Sequence, residues 1–186
     1  MTKVLNMAGE AGDRRWAIFE RFIAQGLVKG QFPILDEVEM EELTDHQDYG
    51  PGYPPGRNGV RALTSALLQA FPDMQSDIEE IVFAADESWA RIRSYGTFKG
   101  PYLGIPPTGR PISIYVVESV RWTDDDHITE HWGVADRFNL LVQMGMIAPQ
   151  YIPVWSPQVA GPLWNEWARV NAPDLAMPLA TGQPAR

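Results

Sequence analysis

The 186-residue chain contains no cysteine. Disulfides, thiolate metal centres and a cysteine nucleophile are excluded at once. Basic charge is also short, with 15 Lys and Arg against 24 Asp and Glu and a formal net charge of −9. Such a surface repels phosphate backbones and anionic lipid, so nucleic acid is not an expected partner. No apolar run approaches the roughly 20 residues needed to span a bilayer, and the start MTKVLNMAGEAGDRRW lacks the apolar segment of a secretory signal. The expectation is a soluble cytoplasmic protein without a membrane partner. Apolar residues are abundant instead: they make up 45% of the chain, with seven Trp and seven Phe. That is enough for one sizeable core and a single main domain.

Asp13 is placed to cap a first helix whose Trp16, Phe19, Ile23 and Leu27 form one apolar stripe, ending near Gly30 ahead of Pro33. The segment PILDEVEMEELTDHQD, 33–48, reads as a helix or extended piece running into a strand end at 43–47. GPGYPPGRNG, 50–59, then imposes an irregular loop. Residues 60–71 predict a second helix, which FPD at 71–73 ends. Four segments rich in β-branched and aromatic residues follow, at 78–85, 88–98, 112–122 and 128–135. Helices followed by a run of strands indicate an α+β domain rather than an alternating βαβ fold. The acidic TDDD, 123–126, joins the last two strands as an antiparallel hairpin, and a helix is expected over 137–145. Residues 1–146 then form the domain. Residues 147–186, rich in Trp and Pro, form an extension expected to pack Trp155, Trp164 and Trp167 onto it and to fray at its end.

FPD at 71–73, Gly96-Thr97, PPTGR at 106–110, and Glu130, Trp132 and Asp136 followed by QMG at 143–145 occur together and in order. In these residues the chain resembles the SnoaL-like polyketide cyclase family. The resemblance implies an NTF2-like cone, a curved antiparallel sheet wrapped around N-terminal helices and enclosing an apolar cavity. It also implies a cofactor-free intramolecular aldol cyclisation of a hydrophobic polyketide ester, an acid/base aspartate at the position of Asp136, and a homodimer paired through the outer face of the sheet. Proteins related by fold include isomerases, dehydratases and epoxide hydrolases, so fold alone does not choose the reaction. Many relatives read GTH where this chain has Gly96-Thr97-Phe98, which replaces a polar group with an apolar ring.

Unbroken alternation places Ile128, Glu130, Trp132, Val134 and Asp136 on one face of the last strand, read as the cavity face, with His131 on the other. A carboxylate among Trp, Phe and Met loses hydration, its pKa rises, and it exchanges protons near neutrality. Asp136 is therefore the candidate acid/base. It also stands where a helix begins, and a cap on the amides near Asn139 would account for it equally. His46 matches a histidine that relatives place at the cavity mouth, orienting the substrate or Asp136. The alternative is a loop histidine bonded to Asp45 or Asp48.

Trp89, Arg91, Arg93 and Tyr95 share a face, and Arg91, which matches an arginine common in the family, calls for a carboxylate partner in Glu130 or Glu118. Arg91, Glu130, Trp132, Trp89 and Phe98 make up the expected substrate-binding set. No metal is expected, since the side chains of Asp124, Asp125 and Asp126 diverge and lack the ligand spacing of a calcium loop. PPTGR lacks the spacing of a phosphate loop and its prolines remove the amides such a loop uses, so it reads as a turn, and the expectation of no cofactor is what the resemblance and the acid/base reading imply. The competing reading is a non-catalytic module of the same fold that binds an apolar ligand or a protein, with Asp136 only a cap.

Overall fold

The structure is a computed structural model that describes residues 1–47, 49–50 and 52–147. The expected packing and fraying of the C-terminal extension lie outside the described residues. The elements run β1 (Lys3–Asn6), α1 (Glu10–Arg21), α2 (Pro33–Val38), β2 (Glu39–Asp45), α3 (Arg57–Ala70), β3 (Gln75–Ala84), β4 (Glu87–Thr97), β5 (Pro111–Trp122), β6 (Ile128–Ala135) and α4 (Arg137–Met144). Three helices precede the consecutive strands β3–β6, as the α+β reading requires, while β1 and β2 are set among those helices and α4 closes the series.

One curved, open sheet carries the strands in the order β1-β3-β4-β5-β6-β2. The antiparallel sheet expected from the sequence is β3 through β6, and the two edge strands add parallel pairs, β1 on β3 and β2 on β6. β1 gave no signal because all four of its residues are exposed, so it shows no apolar alternation. The first helix starts after Gly9 rather than at Asp13, whose carboxylate accepts a hydrogen bond from Asn6 Nδ2 at 2.8 Å instead. That helix widens into a π-helical stretch at Phe22–Leu27 before it ends.

Two apolar clusters form on the helix-covered face. One joins Phe19, Phe22 and Ile23 to Ile81, Ile92 and Val120. The other joins Phe71 and Met74 to Phe98, Ile112, Leu140 and Met144. At the far end of the hairpin, Arg15 ties the first helix to the β5–β6 turn, donating to Asp126 at 2.8 Å, to the Ala85 carbonyl at 2.6 Å and to the Thr123 carbonyl at 3.1 Å. The motifs that carry the family resemblance serve the same scaffold. Asp73 of FPD accepts from the Thr97 amide at 2.8 Å and from Lys99 at 2.7 Å. Gln143 of QMG brackets the Ser113 backbone, accepting from its N–H at 2.6 Å and donating to its carbonyl at 2.9 Å.

One irregularity decides what the sheet presents inward. β5 and β6 pair Trp122 with Ile128 but Arg121 with Glu130, so Thr129 is an extra residue in a β-bulge. A single inserted residue inverts every side chain beyond it. Ile128, His131 and Ala135 consequently line the interior, while Val134 is 73% exposed outside. The expectation that Glu130, Trp132 and Val134 continue the inward face from Ile128, with His131 outside, is corrected on this ground.

Candidate functional site

Between the two apolar clusters lies a cavity of about 160 Å³, room for on the order of ten water molecules. Its walls are mostly hydrophobic. The π-helical stretch contributes Phe22, Ile23 and Leu27, α3 contributes Val60, Leu63 and Leu67, and β5 contributes Ile112, Ile114 and Val116. Polar groups gather toward β2 and β6, where Glu39, Gln47, Tyr49, Glu118 and His131 reach the same space.

Parallel pairing of β2 with β6 sets Asp45 beside His131. His131 Nδ1 donates to Asp45 Oδ1 at 3.0 Å, and the two side chains are 12% and 6% exposed. Asp45 also accepts from the Gln47 amide at 2.9 Å and, through its other oxygen, from the Tyr49 hydroxyl. With Nδ1 committed to the carboxylate, Nε2 is the nitrogen left for the cavity, and it makes no hydrogen bond among the described residues.

The environment sets the proton affinities. Burial alone would raise the Asp45 carboxyl, but hydrogen bonds from His131, Tyr49 and the Gln47 amide outweigh it and hold the group below the usual carboxylate range. Burial would likewise lower His131, yet the hydrogen bond to Asp45 and the facing acidic groups Glu118, Asp45 and Glu39 win and raise it above the ordinary histidine value. Glu39 is pushed up to about 8, chiefly by burial. Burial also raises Glu118, and it raises the Tyr49 phenol, which Asp45 raises further. The interior therefore holds a tightly bonded histidine–aspartate couple beside two desolvated carboxyl groups.

The residues expected from the sequence occupy other places. Asp136 is exposed and caps α4, accepting from the Asn139 amide at 3.1 Å, and only its neighbours Ala135 and Arg137 line the cavity. His46 lies on the outer face, where Nε2 meets Glu130 Oε1 at 2.8 Å and its ring stacks on Trp132 with centroids 3.4 Å apart. Glu130 also accepts from Arg121 at 2.8 Å, so the bulge turns Glu130 and Trp132 outward together with their partner. Trp89, Arg91, Arg93 and Tyr95 do share a face, and it is the outer one: Trp89 is 50% exposed, and Arg91 pairs with Glu79 at 3.1 Å and Glu80 at 3.4 Å rather than with Glu130 or Glu118. Phe98 is fully buried behind the cavity wall, against Phe71 at 5.6 Å. The ring that replaces the polar group of GTH thus completes a core.

Sequence reasoning set His131 aside, gave Glu39 no role, and took Asp45 only as a partner for His46 and Glu118 only as a partner for Arg91. Glu118 was legible, since it interrupts the alternating apolar run Ile112, Ile114, Val116, Val120, Trp122 with one charge. The position of His131 was not, because nothing in ITEHWGVA marks the bulge at Thr129. Gly133, between His131 and Ala135 on the inner face, leaves room that the Gln47 side chain fills, and a Cβ there would collide with it.

Comparison with known proteins places these features in a wider set. A family model described as SnoaL-like polyketide cyclase matches residues 17–144. Among solved structures, a proposed polyketide cyclase from Bacillus cereus ATCC 10987 superposes with a TM-score of 0.68 at 21% identity, covering 79% of this chain and 93% of that one. IdmH, a proposed polyketide cyclase from Streptomyces antibioticus, gives 0.61 at 27% identity over 71% of this chain and 99% of its own. AclR, a proposed hydroxylase from Streptomyces galilaeus, gives 0.62 at 24% identity over 73% and 98%. A search of the curated proteins finds no match.

Proposed function

The chain belongs to the SnoaL-like polyketide cyclase family, and on that premise we propose that it is a cofactor-independent enzyme performing acid/base chemistry on an apolar carbonyl compound held in the cavity. The observation that carries the proposal is the His131–Asp45 couple at the polar end of an otherwise apolar space. Neutral His131 takes a proton through Nε2 from the carbon next to the substrate carbonyl, giving an enolate. Asp45 fixes the tautomer through Nδ1 and stabilises the imidazolium that forms. Tyr49 and the Gln47 amide hold Asp45 in turn, so the base is oriented by a chain of bonds rather than by one. The imidazolium then returns the proton to the product oxygen or carbon, which closes the cycle without an outside reagent. The walls around the couple are mostly apolar, and an ion pair is stronger there than in bulk solvent.

In this reading Asp136 is a helix cap and does not meet the substrate. The outer His46–Glu130 couple is likewise outside the reaction.

Deuterium exchange tests the proposal without knowledge of the natural substrate. With 2-tetralone in D₂O, the wild-type protein should speed incorporation of deuterium at the enolisable carbon, followed by NMR. His131→Gln should abolish that acceleration. Retention of the wild-type exchange rate in His131→Gln would remove the assignment.

A further inference from the structure

The cavity contains two carboxyl groups for which the described residues supply no hydrogen-bond donor. Glu39 is only 3% exposed, lines the cavity, and leaves Oε2 buried without a partner. Glu118 enters from the middle of β5, and its side chain receives no hydrogen bond among the described residues. An unmet carboxyl in an apolar space is destabilising, and proteins rarely leave one without a use. No cationic side chain among the described residues forms an ion pair or hydrogen bond with either carboxyl. Of the cationic side chains that line the cavity, His131 is already held by Asp45, and Arg137 is exposed at the start of α4.

We propose that the ligand is an apolar compound carrying a protonated nitrogen, seated with its ammonium group against Glu39 and Glu118 and its apolar body against the hydrophobic walls. This rests on the acid/base reading above and narrows it: the carbonyl compound bears a basic amine. The ammonium supplies hydrogen-bond donors together with a positive charge in direct contact with the two carboxyls, and charge-assisted bonds of this kind are stronger than neutral ones. A carboxylate ligand would instead add a further negative charge to a space already rich in acids.

Proton release follows from the same geometry. Burial pushes Glu39 up to about 8, with Asp45 and Glu118 raising it and His131 and Arg57 opposing them. Near neutrality Glu39 is thus mostly protonated. An arriving ammonium favours its ionised form, and the proton leaves to solvent.

Isothermal titration calorimetry at neutral pH with 2-phenylethylamine, 2-phenylethanol and phenylacetate tests this, since the three share an aromatic body of similar size. The amine should bind at least about tenfold more tightly than the alcohol, and phenylacetate should not bind. Heats for the amine should depend on the ionisation enthalpy of the buffer, which reports the released proton and needs no variant. Glu39→Gln and Glu118→Gln should each lose about tenfold of the preference for amine over alcohol. Equal affinity for amine and alcohol, the result if both carboxyls stay neutral, would overturn the proposal. Binding of phenylacetate, absence of amine binding, or an unchanged preference in both variants would do the same. These are equilibrium measurements, so they can fail while deuterium exchange still depends on His131, and the converse holds as well.

Discussion

Asp45 and His46 are consecutive in the chain, and so are Glu130 and His131. The β2–β6 pairing sets the four residues back to back as two histidine–carboxylate couples on opposite faces of the sheet. Inside, His131 and Asp45 meet at 3.0 Å with side chains 12% and 6% exposed. Outside, His46 and Glu130 meet at 2.8 Å with side chains 40% and 27% exposed. Residue types and distances are nearly the same, so the difference in chemical capacity comes from surroundings. The outer couple is solvated and shared with Arg121, and hydrogen bonds from His46 and Arg121 keep Glu130 below the usual glutamate range. The inner couple faces a mostly apolar space and two further acids, surroundings that solvate a charge less well than bulk water does.

The largest contrast should appear in catalysis of exchange. Replacing His131 with Gln should lower the deuterium-exchange rate by about 10²- to 10⁴-fold, the usual contribution of a general base. His46→Gln should leave it within about threefold, since a rim group outside the cavity makes no contact with the reacting atoms. Equal losses in the two variants would erase the distinction between the faces.

Next comes the support of the base. Asp45→Asn leaves His131 without its anion and weakens the bond from Tyr49, with an expected cost of about 2 kcal/mol in urea unfolding near neutral pH, and it should also lower the exchange rate. Glu130→Gln on the outer face should leave the exchange rate unchanged.

Stability against pH sharpens the comparison further. Glu39 has a folded value near 8, raised above its unfolded one, so the native state holds its proton more tightly and stability falls as pH rises from the ordinary glutamate range through about 8. His131 is also raised, and its contribution is present at acid pH and lost as pH climbs through its folded value. Asp45 runs the other way: its contribution is present above the ordinary aspartate range and lost as pH falls through its depressed value. Urea unfolding from pH 5 to 9 should show the alkaline decline, and Glu39→Gln should flatten it by about 1–4 kcal/mol. Glu130→Gln should leave the alkaline decline in place, because the contribution of Glu130 is constant above the ordinary glutamate range and is lost only as pH falls through its lowered value. The smallest effect belongs to Asp136→Ala, expected to cost about 1 kcal/mol as a lost cap while leaving exchange intact.

The sequence reading succeeded where structure follows from local pattern. The strand run with its hairpin over 123–126, the second helix ended by FPD, and the helix beyond Asp136 all stand within a few residues of their expected places. The family motifs were legible for a related reason. Asp73, Thr97 and Gln143 make backbone bonds that any chain with this fold can reuse, so they identify the scaffold and leave its chemistry open. The site failed at one residue. Thr129 carries no feature that marks it as bulged, and its insertion exchanges Glu130 and Trp132 for His131 on the inner face. Asp45 was considered only as a neighbour of His46, because its pairing with a strand more than 80 positions away depends on the parallel edge that β2 forms. Non-local pairing of that kind leaves no trace in periodicity.

Titration of the imidazole nitrogens by NMR, with and without 2-tetralone, is the most direct test of whether the working couple lies inside. His131 should titrate above the ordinary histidine value and shift when the ketone binds, while His46 should not respond to it. A response confined to His46, with His131 titrating as a solvated histidine, would place the chemistry on the outer face and contradict the account.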